Sequence, residues 1–195
     1  METPAKKFSR AIVRPPAKSI IKGISSANLG LPDYNRAIQQ HTAYVSALIK
    51  CGLNVIELAA DENFPDSTFV EDTALLTAQC AIITNPGAAA RKGETADIKK
   101  TLHTYYSNME EITEPGTVEA GDIMMVADHF YIGLSQRTNL NGAQQVIHIL
   151  NKYGMTGSTV SLEKVLHSKT RLSGSLKNTI GRTTAFQIST VLPFN

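Results

Sequence analysis

Seven polar side chains stand where connecting segments meet apolar runs: Asp66, Glu71, Asp72, Arg91, Glu119, Arg137 and His167. A scaffold presents its functional groups at such positions. Each has a plain structural reading when taken singly. Glu71 and Asp72 read as a solvent-facing acid pair, Arg91 and Arg137 as surface bases, and Glu119 as the partner of a lysine. His167, after Val165-Leu166, reads as a satisfied core histidine. Taken together they fit one chemistry. Carboxylates accept the planar N–H fork of a guanidinium, and arginines clamp a carboxylate bidentately. The set therefore suits a zwitterion with a guanidinium at one end and a carboxylate at the other. A histidine held by a carboxylate is a poised acid/base.

Charge patterning sharpens this. Residues 57–72 carry six acids and no base, and the last of them sit inside Phe64-Pro65-Asp66-Ser67-Thr68-Phe69-Val70-Glu71-Asp72. A carboxylate among such neighbours is costly unless it meets a cation, whether from the protein or from a ligand. Residues 1–22 carry six bases and one acid, which reads as a solvated face. From Lys164 to Asn195 there are five bases and no acid.

The elements that must position these groups come in a recurring order. Residues 11–14 read as a strand stopped by Pro15-Pro16, and residues 19–31 as a loop. A helix follows Pro32-Asp33, with Tyr34, Ala37, Ile38, His41, Val45, Leu48 and Ile49 on one face. Residues 54–58 form a strand, 73–77 and 80–84 a hairpin, and 92–107 a polar helix. Residues 118–126 and 130–134 form a second hairpin. Asn139 caps a helix through Tyr153 with Leu140, Ala143, Ile147 and Leu150 inside, and residues 158–162 are extended again. A shift of fifty residues aligns Asp72 with Asp122 and Ile82 with Ile132 without gaps. A period of that length is expected of a propeller-like array of supersecondary units.

The totals bound the class. The chain has 195 residues, 42 % of them hydrophobic, and a net charge of +2, which predicts one folded domain and no nucleic-acid partner. No apolar run approaches the roughly 18 residues of a membrane span. Two cysteines cannot build a disulfide framework, so a reducing cytoplasm is the expected compartment.

The stretch Phe64 to Ala74 resembles the signature of the dimethylarginine dimethylaminohydrolase family, within the guanidine-modifying (pentein) superfamily. Four further segments are similar to its motifs in order. They are Ile82 to Glu94, Gly116 to Asp122, Tyr131 to Asn139 and Leu166 to Thr170. The resemblance implies an α/β propeller of ββαβ modules over residues 1–170, with three modules and part of a fourth, and a divergent tail over 171–195. It implies a hydrolase that turns N-methylated arginine into citrulline and an alkylamine without a cofactor or metal. Asp66, Glu71 and Asp72 would hold the guanidinium, and Arg91 and Arg137 the amino-acid end. His167 would be the acid/base, oriented by Glu119, and the loop around residues 24–31 the lid.

The family nucleophile is a cysteine near the C-terminus, and no cysteine follows Cys80 in this sequence. Five modules of about fifty residues need roughly 250 residues. The expectation is therefore a truncated or altered member, inactive alone, with Cys51 and Cys80 as small buried residues. Two alternatives stand beside it: an arginine deiminase-like hydrolase, and a propeller fragment that only binds arginine-like ligands.

Overall fold

Asp33 and Asn139 cap helices as their positions foretell. The Asp33 carboxylate accepts from the Arg36 amide and opens α1 (Tyr34–Lys50); the Asn139 side chain accepts from the Gly142 amide and opens α3 (Leu140–Lys152). The structure is a computed structural model and describes residues 8–25, 30–161 and 191–193. Its strands are β1 (Phe8–Val13), β2 (Asn54–Glu57), β3 (Ala74–Leu76), β4 (Ala81–Ile83), β5 (Met109–Glu111), β6 (Ile123–Val126), β7 (His129–Leu134), β8 (Thr156–Ser161) and β9 (Val191–Pro193). The remaining helix is α2 (Thr95–Leu102). Among the described residues no helix is long and apolar enough to cross a membrane.

The strands form three three-stranded sheets, ordered β2-β1-β9, β3-β4-β5 and β6-β7-β8. In the second and third, an antiparallel pair is followed by a helix and a parallel third strand. The first sheet has the same polarity, but its antiparallel member is β9, drawn from beyond residue 170, while α1 links β1 to the parallel β2. The fifty-residue repeat is thus a repeat of topology in a mixed α/β fold. Asp72 and Asp122 both lie in short 3₁₀ segments (Val70–Thr73 and Ala120–Asp122) ahead of a hairpin, and their amides donate to Phe69 and Glu119 carbonyls at 3.2 and 2.9 Å. The hairpins differ in register by two residues, because Ala127-Asp128 closes the second and residues 77–80 the first.

Strand alternation gives each face of a sheet its own duty. Ala74, Leu76, Ala81 and Ile83 face Ile98 and Leu102 of α2, joined by Ile12 of β1. Leu75 and Ile82, on the opposite face, enter a second core with Ile123, Phe130, Ile132 and α3's Ala143, Val146 and Leu150. The first and second sheets so lie each between its own helix and the next unit. Arg14, at the end of β1, is buried and ties the first unit to the second through Asp97 (3.0 Å) and Asp61 (3.4 Å).

Three local expectations need correction. Leu140 is exposed, because at the first turn of α3 it points away from the stripe made by Ala143, Val146, Ile149 and Leu150. The helix expected over 92–107 is a 3₁₀ segment over Ala89–Glu94 followed by the shorter α2. The turn is tightened where Arg91 and Glu94 face inward. Strand β5 was not anticipated, since its Met-Glu-Glu triplet carries no apolar alternation.

Helix α3 approaches the segment before Glu119 so closely that a Cβ on Gly142 would lie 2.2 Å from the Thr117 carbonyl oxygen. Ala is favoured over Gly by about 1 kcal/mol in a helix. Overpacking costs about 1–3 kcal/mol, occasionally more. Gly142→Ala is therefore expected to lower stability by up to about 2 kcal/mol in urea unfolding. A gain in stability would refute this packing.

Candidate functional site

The turn Phe64–Thr73 presents three acids of unlike surroundings. Asp66 is buried, and both of its carboxylate oxygens accept from the Ile24 amide at 3.2 and 3.1 Å. The expected lid segment is thus hydrogen-bonded to an expected ligand-binding acid. Asp72 is buried in a 3₁₀ turn, where one oxygen accepts from the Gly121 amide of the next unit (3.1 Å) and the other from Arg91 (2.7 Å). Glu71, between them and half-buried, faces α1. Burial and then its charge raise the phenol pKa of Tyr44.

Arg91 is the hub. Its Nε and Nη2 both donate to one oxygen of Glu94, at 3.0 and 2.8 Å, its Nη1 to Asp72, and its Nη2 also to the Phe69 carbonyl at 3.2 Å. Glu119 lies 3.7 Å from Nη1. Burial works against this cation, but the hydrogen bonds to Glu94 and the field of Asp72 outweigh it, so its pKa rises. Glu94 also has a raised pKa, because burial and the nearby charges of Asp66 and Asp72 outweigh Arg91. The two directions agree if the cluster holds more negative charge than Arg91 balances.

Glu119 is 1 % exposed and bridges the two arginines, with Arg137 Nη1 3.7 Å from its other oxygen. Its position is fixed from behind. Its amide donates to Thr138 Oγ1, which in turn donates to the buried Asp122 (2.7 Å), as does the Ser135 hydroxyl (2.6 Å). The Val118 amide donates to the Asn85 carbonyl, and Asn85 Nδ2 to the Gly116 carbonyl. Arg137 is fixed by contact, since a Cβ on Gly87 would meet its carbonyl oxygen at 2.3 Å.

Asp66, Asp72, Arg91, Glu119 and Arg137 are therefore brought together from the second and third units and the turn that precedes the second, and Glu71 lies on the same turn. His167 lies outside the described residues. Arg91, which the resemblance gives to a substrate's amino-acid end, has its N–H groups directed to acids and carbonyls of the protein. Glu94, Asp122 and Thr138 had been given no role. Only the Arg-x-x-Glu spacing of Arg91 and Glu94 could have signalled one.

The two thiols differ. Cys80 is fully buried in the core with Leu75, Ile82 and Phe130, and burial raises its pKa. Cys51 is exposed at the C-terminal end of α1, which corrects the expectation that both are buried. A disulfide-exchange reagent is expected to titrate one thiol in the folded chain and two in denaturant, and Cys51→Ser to abolish the native signal. Rapid reaction of two native thiols would contradict this packing.

The family model described as N,N dimethylarginine dimethylhydrolase, eukaryotic, matches residues 32–174. The chain is 56 % identical over 167 residues to the N(G),N(G)-dimethylarginine dimethylaminohydrolase of Pseudomonas aeruginosa, covering 85 % of this chain and 66 % of that protein. It is 33 % identical over 178 residues to that of Streptomyces coelicolor, covering 91 % and 68 %. A Pseudomonas aeruginosa structure, a Cys→Ser mutant complexed with citrulline, superposes with a TM-score of 0.83 over 84 % of this chain and 64 % of that one. The N-terminal domain of the cyanobacterial arginine dihydrolase ArgZ shares the fold, with a TM-score of 0.70 at 16 % identity, over 80 % and 58 %. The chain thus spans about two thirds of the length of the curated relatives it matches.

Proposed function

Since the chain belongs to the dimethylarginine dimethylaminohydrolase family, we propose that its acid cluster recognises the guanidinium of an N-methylated arginine for hydrolytic C–N cleavage to citrulline and an alkylamine. One observation carries this reading. Three buried carboxylates (Asp72, Glu94 and Glu119) lie within 4 Å of the buried Arg91, the buried Asp66 is near enough to act on Glu94 through its charge, and half-buried Arg137 stands beside Glu119. Buried carboxylates are costly unless a cation meets them, and a ligand guanidinium on Asp66, Glu71 and Asp72 is such a cation.

In this reading the Ile24 amide leaves Asp66 as the ligand arrives. Arg137, the less buried arginine, takes the ligand carboxylate, and Arg91 chiefly orders the acids that meet the guanidinium. His167 serves as the acid/base, oriented by Glu119, on the propeller arrangement that the family resemblance implies.

Calorimetric titration of the purified chain tests this. Dimethylarginine is expected to bind, and agmatine, which lacks the carboxylate, to bind on the order of 10- to 100-fold more weakly, the worth of one charge-assisted pair. Binding of neither guanidinium compound would overturn the reading. Tighter binding of arginine than of dimethylarginine would shift it to an arginine deiminase-like substrate.

A further inference from the structure

Glu94 follows Arg91 by one turn, at the end of the 3₁₀ segment Ala89–Glu94, and is 4 % exposed. One of its oxygens takes two N–H groups of Arg91, Nε and Nη2. The other, Oε1, is buried and has no hydrogen-bond partner among the described residues. A buried carboxylate kept in this state is costly unless its charge serves the neighbours. Those neighbours are Arg91 itself and, near enough to act on Glu94 through their charge, Asp66 and Asp72.

The division of contacts shows what Glu94 does. Arg91 meets Asp72 through Nη1 alone, and Glu119 only at 3.7 Å. Glu94 supplies the doubly bonded anchor. Without it, the guanidinium would turn its Nε–H and Nη2–H toward Asp72 and Glu119, the acids beside Asp66, and consume their charge. With it, Arg91 is neutralised from one side and the acids on the other side keep their negative potential.

We propose that Glu94 is a positioning residue that neutralises and orients Arg91, and thereby makes the acid cluster selective for a cationic over a neutral ligand. This rests on the guanidinium-binding reading above. Glu94 touches no ligand in this scheme and acts only through Arg91.

The test compares two ligands of nearly equal shape. Dimethylarginine carries a cationic guanidinium, and citrulline a neutral ureido group. In Glu94→Gln the affinity for dimethylarginine is expected to fall at least tenfold, while that for citrulline stays within about threefold. A merely structural loss would weaken both alike, and that result, or unchanged affinity for both, overturns the proposal. If the Gln variant does not fold, Glu94→Asp, which keeps the charge and withdraws the carboxylate by about 1.5 Å, carries the same comparison. A ligand-free readout separates this proposal from the functional reading. The Arg91 Nε–H resonance is expected to be slowly exchanging in the parent chain and to shift and exchange faster in Glu94→Gln. If the parent chain binds no guanidinium, the functional reading fails; an unmoved Arg91 signal then overturns the positioning role, and a moved one sustains it.

Discussion

Arg91→Met is expected to destabilise the chain by about 3–5 kcal/mol, the cost of removing one partner from a buried ion pair. That is a large fraction of the roughly 5–15 kcal/mol that holds a domain together. The loss is large because Asp72, Glu94 and Glu119, each nearly sealed from water, would face one another without a shared cation. Methionine fills most of the volume, so the effect is electrostatic rather than a cavity. Its pH dependence follows. Burial already raises the pKa of Glu94 with Arg91 beside it, and without that cation it stands further above its unfolded value. The deficit is then fully present above the raised folded pKa, and it shrinks as pH falls until protonation removes it below the unfolded value. Urea unfolding of parent and variant at pH 7 and pH 4 measures this. A deficit equally large at both pH values would show that packing, not charge, is responsible.

The second large effect concerns turnover. A polypeptide of these 195 residues by themselves is expected to bind dimethylarginine yet to release citrulline on the order of 10⁴- to 10⁶-fold more slowly than the Pseudomonas aeruginosa enzyme, the scale of catalysis without a placed nucleophile. Covalent catalysis needs a thiolate within reach of the substrate carbon and of a base. Both thiols of the sequence are accounted for, and neither belongs to the acid cluster. Cys80 lies in the apolar core with its ionisation disfavoured, and Cys51 on the surface at the end of α1. A citrulline assay beside the Pseudomonas aeruginosa enzyme decides the matter. Turnover within tenfold of that enzyme would refute the prediction, and its loss in Cys51→Ser or Cys80→Ser would identify the thiol responsible.

Much of this was legible in the residues, for reasons that differ by element. Asp33 and Asn139 cap through local hydrogen bonds, so their helices could be read within a few positions. The shift from Asp72 to Asp122 was visible because both acids sit in 3₁₀ segments directly ahead of a hairpin. The convergence of Asp66, Asp72, Arg91, Glu119 and Arg137 was readable only as a set, since apart from Asp66 and Asp72 no pair of them is local in sequence. Glu94 escaped attention because a charged residue at i+3 from an arginine is ordinarily a solvated helix pair. Its role arises from burial, which spacing does not report. Strand β9 was illegible because three residues carry no period, and their pairing with β1 is decided by a partner nearly the whole chain away.

That pairing has a bearing on synthesis. The second and third sheets are each assembled from a single continuous stretch of chain, and can form soon after that stretch leaves the ribosome. The first sheet cannot. Strand β1, made long before β9, has β2 on one edge and stays bare on the other until residues 191–193 emerge. At about 5–20 residues per second, that edge waits on the order of ten seconds. During that interval it is a template for any extended segment nearby, including another nascent copy on the same message. The basic residues around β1, Lys6, Lys7, Arg10 and Arg14, give such copies a reason to repel one another while they wait.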